Sequence, residues 1–246
     1  MDIGLIIETL PRLGEGLLLT LQLTVASVVV GLIIATPLAL LRASDRRILS
    51  LPVQFYTFLF RGTPLLVQLF LIYYGLSQVS WVRTSFAWPL LRDPFWCALL
   101  AFSLNNAAYT TEILRGGLRA VPVGEIEAAK ALGMSASQRI RRIVLPIGFR
   151  LAMPAYANEV VLMLKASSLA STITLMELTG TSRKIVAQTF APYEIFVAAA
   201  LLYLAVTFLF TSTFSALERR LSRHRHRSAS DHSGIGNMQF SKEQVQ

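Results

Sequence analysis

The segment Val121–Arg150 reads VPVGEIEAAKALGMSASQRIRRIVLPIGFR. It joins two apolar stretches but is far longer than the few residues a plain connection between helices needs. Two short helices are predicted within it. Gly124 can cap the first, EIEAAKAL supplies helix formers with acidic residues in the first turn, and Gly133 offers a left-handed stop. Ser135 followed by Gln138 has the spacing of a capping box and opens the second helix, which Pro146 is expected to limit. Ala128, Ala129 and Ala131 give the pair a low profile. On physical grounds two readings stand: a projection that enters a partner's groove, or a basic amphipathic hairpin lying on a membrane.

The rest of the 246-residue chain decides the setting. It is 54% hydrophobic and only 15% charged, against roughly 25% charge in soluble domains. Runs of about 20 apolar residues, enough to cross a bilayer as helix, are expected near 16–41, 64–82, 94–114, 151–174 and 195–217. The fold class is therefore an all-α polytopic membrane protein with about five transmembrane helices. Residues 1–15 are read as an external N-terminal segment with no cleaved leader, 16–217 as the transmembrane domain with its loop at 121–146, and 218–246 as a disordered basic tail.

The net charge of +9 falls at the ends of the apolar runs, which points to membrane topology and away from nucleic acid. Arg42, Arg46 and Arg47 follow the first run, seven Lys and Arg residues from Arg115 to Arg150 lie between the third and fourth, and Arg219, Arg220, Arg223, Arg225 and Arg227 follow the fifth. Positive charge is retained inside, so the N-terminus is expected outside and the C-terminus in the cytoplasm. Alternation of His224 and His226 with arginine disfavours a metal site in the tail. The single cysteine, Cys97, reads as a small buried hydrophobe.

The loop also carries a resemblance. Glu127-Ala128-Ala129, three residues, Gly133, nine residues, then Ile143-Val144-Leu145-Pro146 resembles the EAA motif of permeases of ABC importers at full spacing. FRGTPLLVQLFLIYYG, LNNAAYTTEILRGGLRAVPVGEIEAA and MPAYANEVVLMLKASSLAS look like the polar amino acid permeases, in the histidine, basic amino acid and opine subgroup. The resemblance covers about 16–217 and implies a type I ABC importer transmembrane fold in a bacterial inner membrane. It implies that Glu127, Ala128, Ala129 and Gly133 couple to an ATPase subunit. Its implied partners are two ATPases holding ATP and magnesium, a second permease, an external solute-binding protein and lipid. For Glu127 two roles stay open: pairing with a basic group of the ATPase, or stabilising its own helix N-terminus.

No phosphate-binding loop occurs in the chain, and no clustered His, Cys or paired carboxylates suggest catalysis. This chain is expected to be no enzyme and to bind no cofactor. The alternative kept open is an ion-coupled secondary amino acid transporter working without an ATPase.

An amino acid substrate needs acceptors for its ammonium and donors for its carboxylate. Asn158 and Glu159 can supply the former, Lys165, Ser167 and Ser168 the latter; structural pairing within the bundle is the competing reading. Glu112 is expected to pair with Arg115. One further charge interrupts an apolar run at Arg61. From Ile48 to Val82 a single helix would be about 50 Å long, against a core of about 30 Å. A break is therefore predicted, with Gly62 as stop, Thr63 as N-cap and Pro64 at the first helical position. Arg61 then sits in the last turn before the break, near the cytoplasmic boundary. It either satisfies carbonyls and lipid phosphate or forms part of a gate or substrate path.

Overall fold

The computed structural model describes residues 2–44 and 46–222, and among them every regular element is helical. Helix α1, Ile3–Ala43, is one continuous rod in which Asp2 accepts from the Leu5 amide at the N-cap. Residues 3–15, expected as a separate segment, are thus the first turns of this helix. Its buried face is a run of small or hydroxyl side chains, among them Thr20, Thr24, Ser27, Gly31, Ala35 and Ala39. Small residues let two backbones approach closely where lipid offers no hydrophobic drive between helices. The threonine hydroxyls also reach back along their own helix: Thr20 reaches the Gly16 carbonyl and Thr24 that of Thr20.

That face packs on α6, Pro94–Arg119, which begins with Asp93 as N-cap and Pro94 in the first turn. Leu23 and Val28 share a cluster with Cys97, Ala98 and Phe102, whereas Ala35 and Ala39 join Leu114 and Leu118. Residue numbers rise together, so the two helices run parallel. Cys97 is fully buried, as its apolar surroundings suggested. Helix α6 is the hub of the bundle and also contacts α2, α3 and α9.

The second apolar run is broken. Helix α2, Arg47–Gly62, meets the following helical segment, Leu65–Gln78, at 102°. That segment starts as α3, Leu65–Phe70, and finishes in wider and tighter turns to Gln78. The break was placed correctly within two residues, but its parts differ from expectation. Gly62 is still helical, Thr63 is the extended C-cap of α2, and Pro64 is the extended N-cap position with Leu65 as the first helical residue. Gly62 needs no left-handed turn because side chains, discussed below, satisfy the freed carbonyls.

The depth also differs. The bend bonds to Asn105 and Tyr109 of α6, and the midpoint of the 26-residue α6 falls between Asn106 and Ala107. Arg61 therefore lies half-way along α6 and not at its loop end. Short helices α4, Ser80–Arg83, and α5, Trp88–Leu91, complete the connection to α6.

After α6 come α7, Val123–Ala131, and α8, Ala136–Arg139. Helix α7 starts a little before the expected cap, with Pro122 at the N-cap and Gly124 inside. Gly133 has φ +73°, the left-handed region that costs a side chain. Its amide bonds the Lys130 carbonyl and that of Met134 bonds Ala129, a Schellman closure. The Ser135 and Gln138 box is complete in both directions.

Pro146 does not end the second helix. A widened turn over Ile140–Val144 passes α8 directly into α9, Leu145–Ala166. Proline sits in the first turn of α9, where its missing amide is harmless. The helical rod from Ala136 continues to Ile173 through a 3₁₀ stretch. Helix α10, Leu178–Thr189, then bends by 50°, and α11, Pro192–Ser222, returns through the bundle. Residues 218–222, read as the start of the tail, belong to α11; the rest of the expected tail, including His224, His226 and His232, lies outside the described residues.

Two of the described helices, α1 and α11, are alone long and apolar enough to cross a membrane, and up to four spans result if each bent pair counts as one. Helix α6 is about 39 Å long at 1.5 Å per residue. It carries Asn105, Asn106, Thr110 and Thr111 buried within the bundle, so its polarity faces protein and not lipid.

Candidate functional site

Two places gather polar side chains in a way the bundle alone does not require. The first is at mid-depth, where α2, α6 and α9 meet. Glu159 of α9 is 6% exposed. Asn106 donates to its Oε1 at 3.4 Å and is the one hydrogen-bond donor to this carboxylate among the described residues. Burying a carboxylate in a bundle is expensive unless it is paired, so such a group usually marks a path or ligand. The Arg61 guanidinium stands close enough to act on it electrostatically. It lies over the Tyr109 ring, 5.3 Å from the centroid, while the Tyr109 hydroxyl donates to the Arg61 carbonyl at 3.4 Å. Acceptor and cation thus lie within electrostatic reach of each other beside the break.

The other substrate-path candidates are not drawn to this place. Asn158 and Lys165 share the exposed face of α9, consistent with their seven-residue spacing, and Glu159 points the other way. Asn158 instead lines a groove of about 250 Å³ with Thr211, Ser215 and Glu218 of α11. The Ser167 hydroxyl donates to the Leu164 carbonyl and Ser168 to that of Lys165, so neither proton is free for a ligand in this conformation. Glu112 has the expected partner and more. Arg115 Nε lies 2.6 Å from Oε2, Arg42 Nε 3.1 Å from Oε1, and Thr57 also donates to Oε1. This network ties α1, α2 and α6 together.

The second place is the α7–α8 hairpin. Glu127, Ala128 and Gly133 are exposed on it, whereas Ala129 is buried, so Ala129 packs the hairpin and the others form its outer surface. Leu132 is 82% exposed and Val123 67%. Both leave apolar surface bare on the hairpin. The alanine pattern hid them. A distinction between hairpin core and outer face was available only from the way α7 leans on the widened turn.

Residues 27–223, most of the chain, match the family described as the binding-protein-dependent transport system inner membrane component. The chain belongs to this family. The permease is 50% identical over 226 residues, 91% of this chain and 92% of the relative, to the octopine transport system permease protein OccM of Rhizobium radiobacter. It is 43% identical over 210 residues to the histidine/lysine/arginine/ornithine transport system permease protein HisM of Escherichia coli K12, covering 85% of this chain and 88% of that one. Among solved structures, an amino acid ABC transporter crystallised with histidines superposes with a TM-score of 0.79 at 33% identity, covering 89% of this chain and 99% of that one.

These findings bear out the EAA-motif reading, the type I importer fold and the role of a transport subunit, not an enzyme. They place the permease among inner-membrane components of transport systems that use a binding protein. The ion-coupled transporter acting without an ATPase does not fit such a system and is set aside.

Sequence reading did not find Gln68 or Glu177. Gln68 and Asn105 serve the break. The Glu177 carboxylate is fully buried and accepts from the Thr179 and Gly180 amides, each at 2.9 Å, and from Tyr203 and Thr20 hydroxyls. A Glu at an N-cap is a weak signal, because Ser, Thr, Asp and Asn are the usual caps.

Proposed function

We propose that this permease forms part of an ATP-driven importer for a basic amino acid or an opine, and that Glu159 and Arg61 lie on the substrate route. One observation carries the reading: a buried carboxylate with a single hydrogen-bond donor among the described residues lies within electrostatic reach of the cation that ends α2 at the 102° bend. A basic amino acid or opine bears both a cationic group and carboxylate. Glu159 would accept from the former and Arg61 would pair with the latter, bidentate if the geometry allows. The names of the octopine and basic amino acid relatives support this substrate class.

The working arrangement is five spans: α1, the α2–α3 pair, α6, α9 and α11. The N-terminus is outside and the C-terminus cytoplasmic, supported by the arginines after α1, around the hairpin and after α11. Two ATPases hold ATP and magnesium, a second related permease completes the pathway, and an external solute-binding protein delivers substrate. The exposed surface of Glu127, Ala128, Leu132 and Gly133 docks on the ATPase. Because α8 runs into α9 without a stop, a movement of the hairpin is carried along one rod to Glu159. Alternating access follows when that rod and the break change places relative to α6.

Uptake into proteoliposomes containing the complete system tests the reading. Transport of a basic amino acid should require the ATPase, ATP and the binding protein. Equal uptake with the permease alone would refute it, and binding assays on the solute-binding protein would separate basic amino acids from opines.

A further inference from the structure

The bend between α2 and α3 frees carbonyls that a continuous helix would satisfy, and at mid-depth no hydrocarbon can replace them. Side chains do so here. The Thr63 hydroxyl donates to the Leu59 carbonyl at 2.8 Å, Gln68 Nε2 to the Phe60 carbonyl at 2.8 Å and the Thr63 carbonyl at 3.1 Å, and Tyr109 to the Arg61 carbonyl. Gln68 Nε2 also reaches Thr63 Oγ1 at 2.7 Å. Its Oε1 accepts from Asn105 Nδ2 at 3.0 Å, and the same Asn105 amide reaches the Phe60 carbonyl at 3.3 Å. Gln68 is 7% exposed.

We infer that Gln68, clamped by Asn105, is the positioning residue that fixes the angle of the break and its place along α6, and thereby holds Arg61 over the Tyr109 ring within reach of Glu159. Its amide belongs to the first turns of α3 while its acceptors belong to the end of α2, so it spans the bend and is lost if the angle changes. Asn105 transfers the same constraint to α6. Beside the bend, Gln68 and Thr63 also line a half-open hollow of about 200 Å³ whose other walls, Leu59, Phe60, Val67 and Ile72 among them, are apolar. Gln68 and Asn105 together thus bond both sides of the break and α6. The consequence for transport rests on the reading of Glu159 and Arg61 as part of the substrate route.

The test uses a single thiol at position 62 in a Cys97→Ala background. A Cβ at Gly62 meets no atom within 4 Å, so Gly62→Cys reports the break without crowding it. In membranes holding the assembled transporter, the rate at which a small charged methanethiosulfonate reagent modifies this thiol is measured with and without changes at Gln68. Gln68→Leu keeps volume and removes the donor, and Gln68→Glu puts a carboxylate against carbonyls. Each is expected to change the rate by about tenfold, the factor that one lost buried hydrogen bond gives. Thr63→Val removes one acceptor and should move the rate in the same direction by less. It also decides the matter if the Gln68 variants fail to assemble.

Maximal uptake per assembled complex should fall with the same rank order, and Gln68→Asn should recover part of it. A changed modification rate with unchanged uptake still supports Gln68 as the positioning residue and overturns the substrate-route reading instead. Unchanged modification in Gln68→Leu, or in Thr63→Val where the former does not assemble, overturns the inference.

Discussion

Asn106 of α6 donates to Glu159 of α9 at 3.4 Å, and it can do so because α1 presents Gly31 at the same level. A Cβ on Gly31 would collide with the Asn106 amide. Three helices therefore meet at one hydrogen bond. Gly31→Leu should displace Asn106 and lower stability by about 1–3 kcal/mol through overpacking. Thermal denaturation of the purified complex, compared with Gly31→Ala as the milder step, measures it; an unchanged midpoint for Gly31→Leu would contradict the packing account.

The crossing of α6 and α9 near the hairpin makes a second steric prediction. A side chain at Gly117 would strike the Gly148 carbonyl and Ala152, and one at Gly148 would strike Leu118. Gly117→Val should cost at least about 1–3 kcal/mol. It should also disturb transport more than stability alone explains, because this crossing lies at the base of the α8–α9 rod. Uptake per folded complex is the measurement.

On the hairpin, Gly133→Ala forces a side chain into φ +73°, at a cost of about 1–2 kcal/mol. Gly133→Trp and Glu127→Lys should reduce the amount of ATPase that co-purifies. Leu132→Asp should do the same with little loss of permease stability, since this side chain covers nothing within the chain. Full ATPase recovery and substrate-stimulated hydrolysis in all three would refute the docking surface.

Glu177→Ala would leave two helix amides and the hydroxyls of Tyr203 and Thr20 without their shared acceptor. A loss of about 2–4 kcal/mol is expected, from several unmade bonds in one buried network. Tyr203→Phe removes one donor and should cost less, about 1 kcal/mol. Denaturation of the assembled complex gives both values.

The local grammar of the hairpin was legible in the sequence: Gly133 turns left-handed and Ser135 with Gln138 closes a capping box, because both depend on residues within four positions of each other. Arg61 in the last turn before a break was legible for the same reason. The break's depth was not, since it is fixed by Asn105, 37 residues from Gln68. Helical periodicity separated Glu159 from Asn158 and Lys165 but could not say which face looks inward; Asn106 and Gly31 decide that. Pro146 misled because a proline inside a helix usually stops it, whereas the widened turn over Ile140–Val144 lets α8 continue into α9.

The most direct test of the whole account is the initial rate of ATP-dependent uptake of a basic amino acid by the complete reconstituted system, wild type against Glu159→Gln. Glutamine keeps the bond from Asn106 and removes the charge. The account predicts uptake lowered by about 10–100-fold, the worth of a charge-assisted contact, with the complex still assembled. Undiminished uptake and unchanged selectivity would show that substrate does not pass by Glu159.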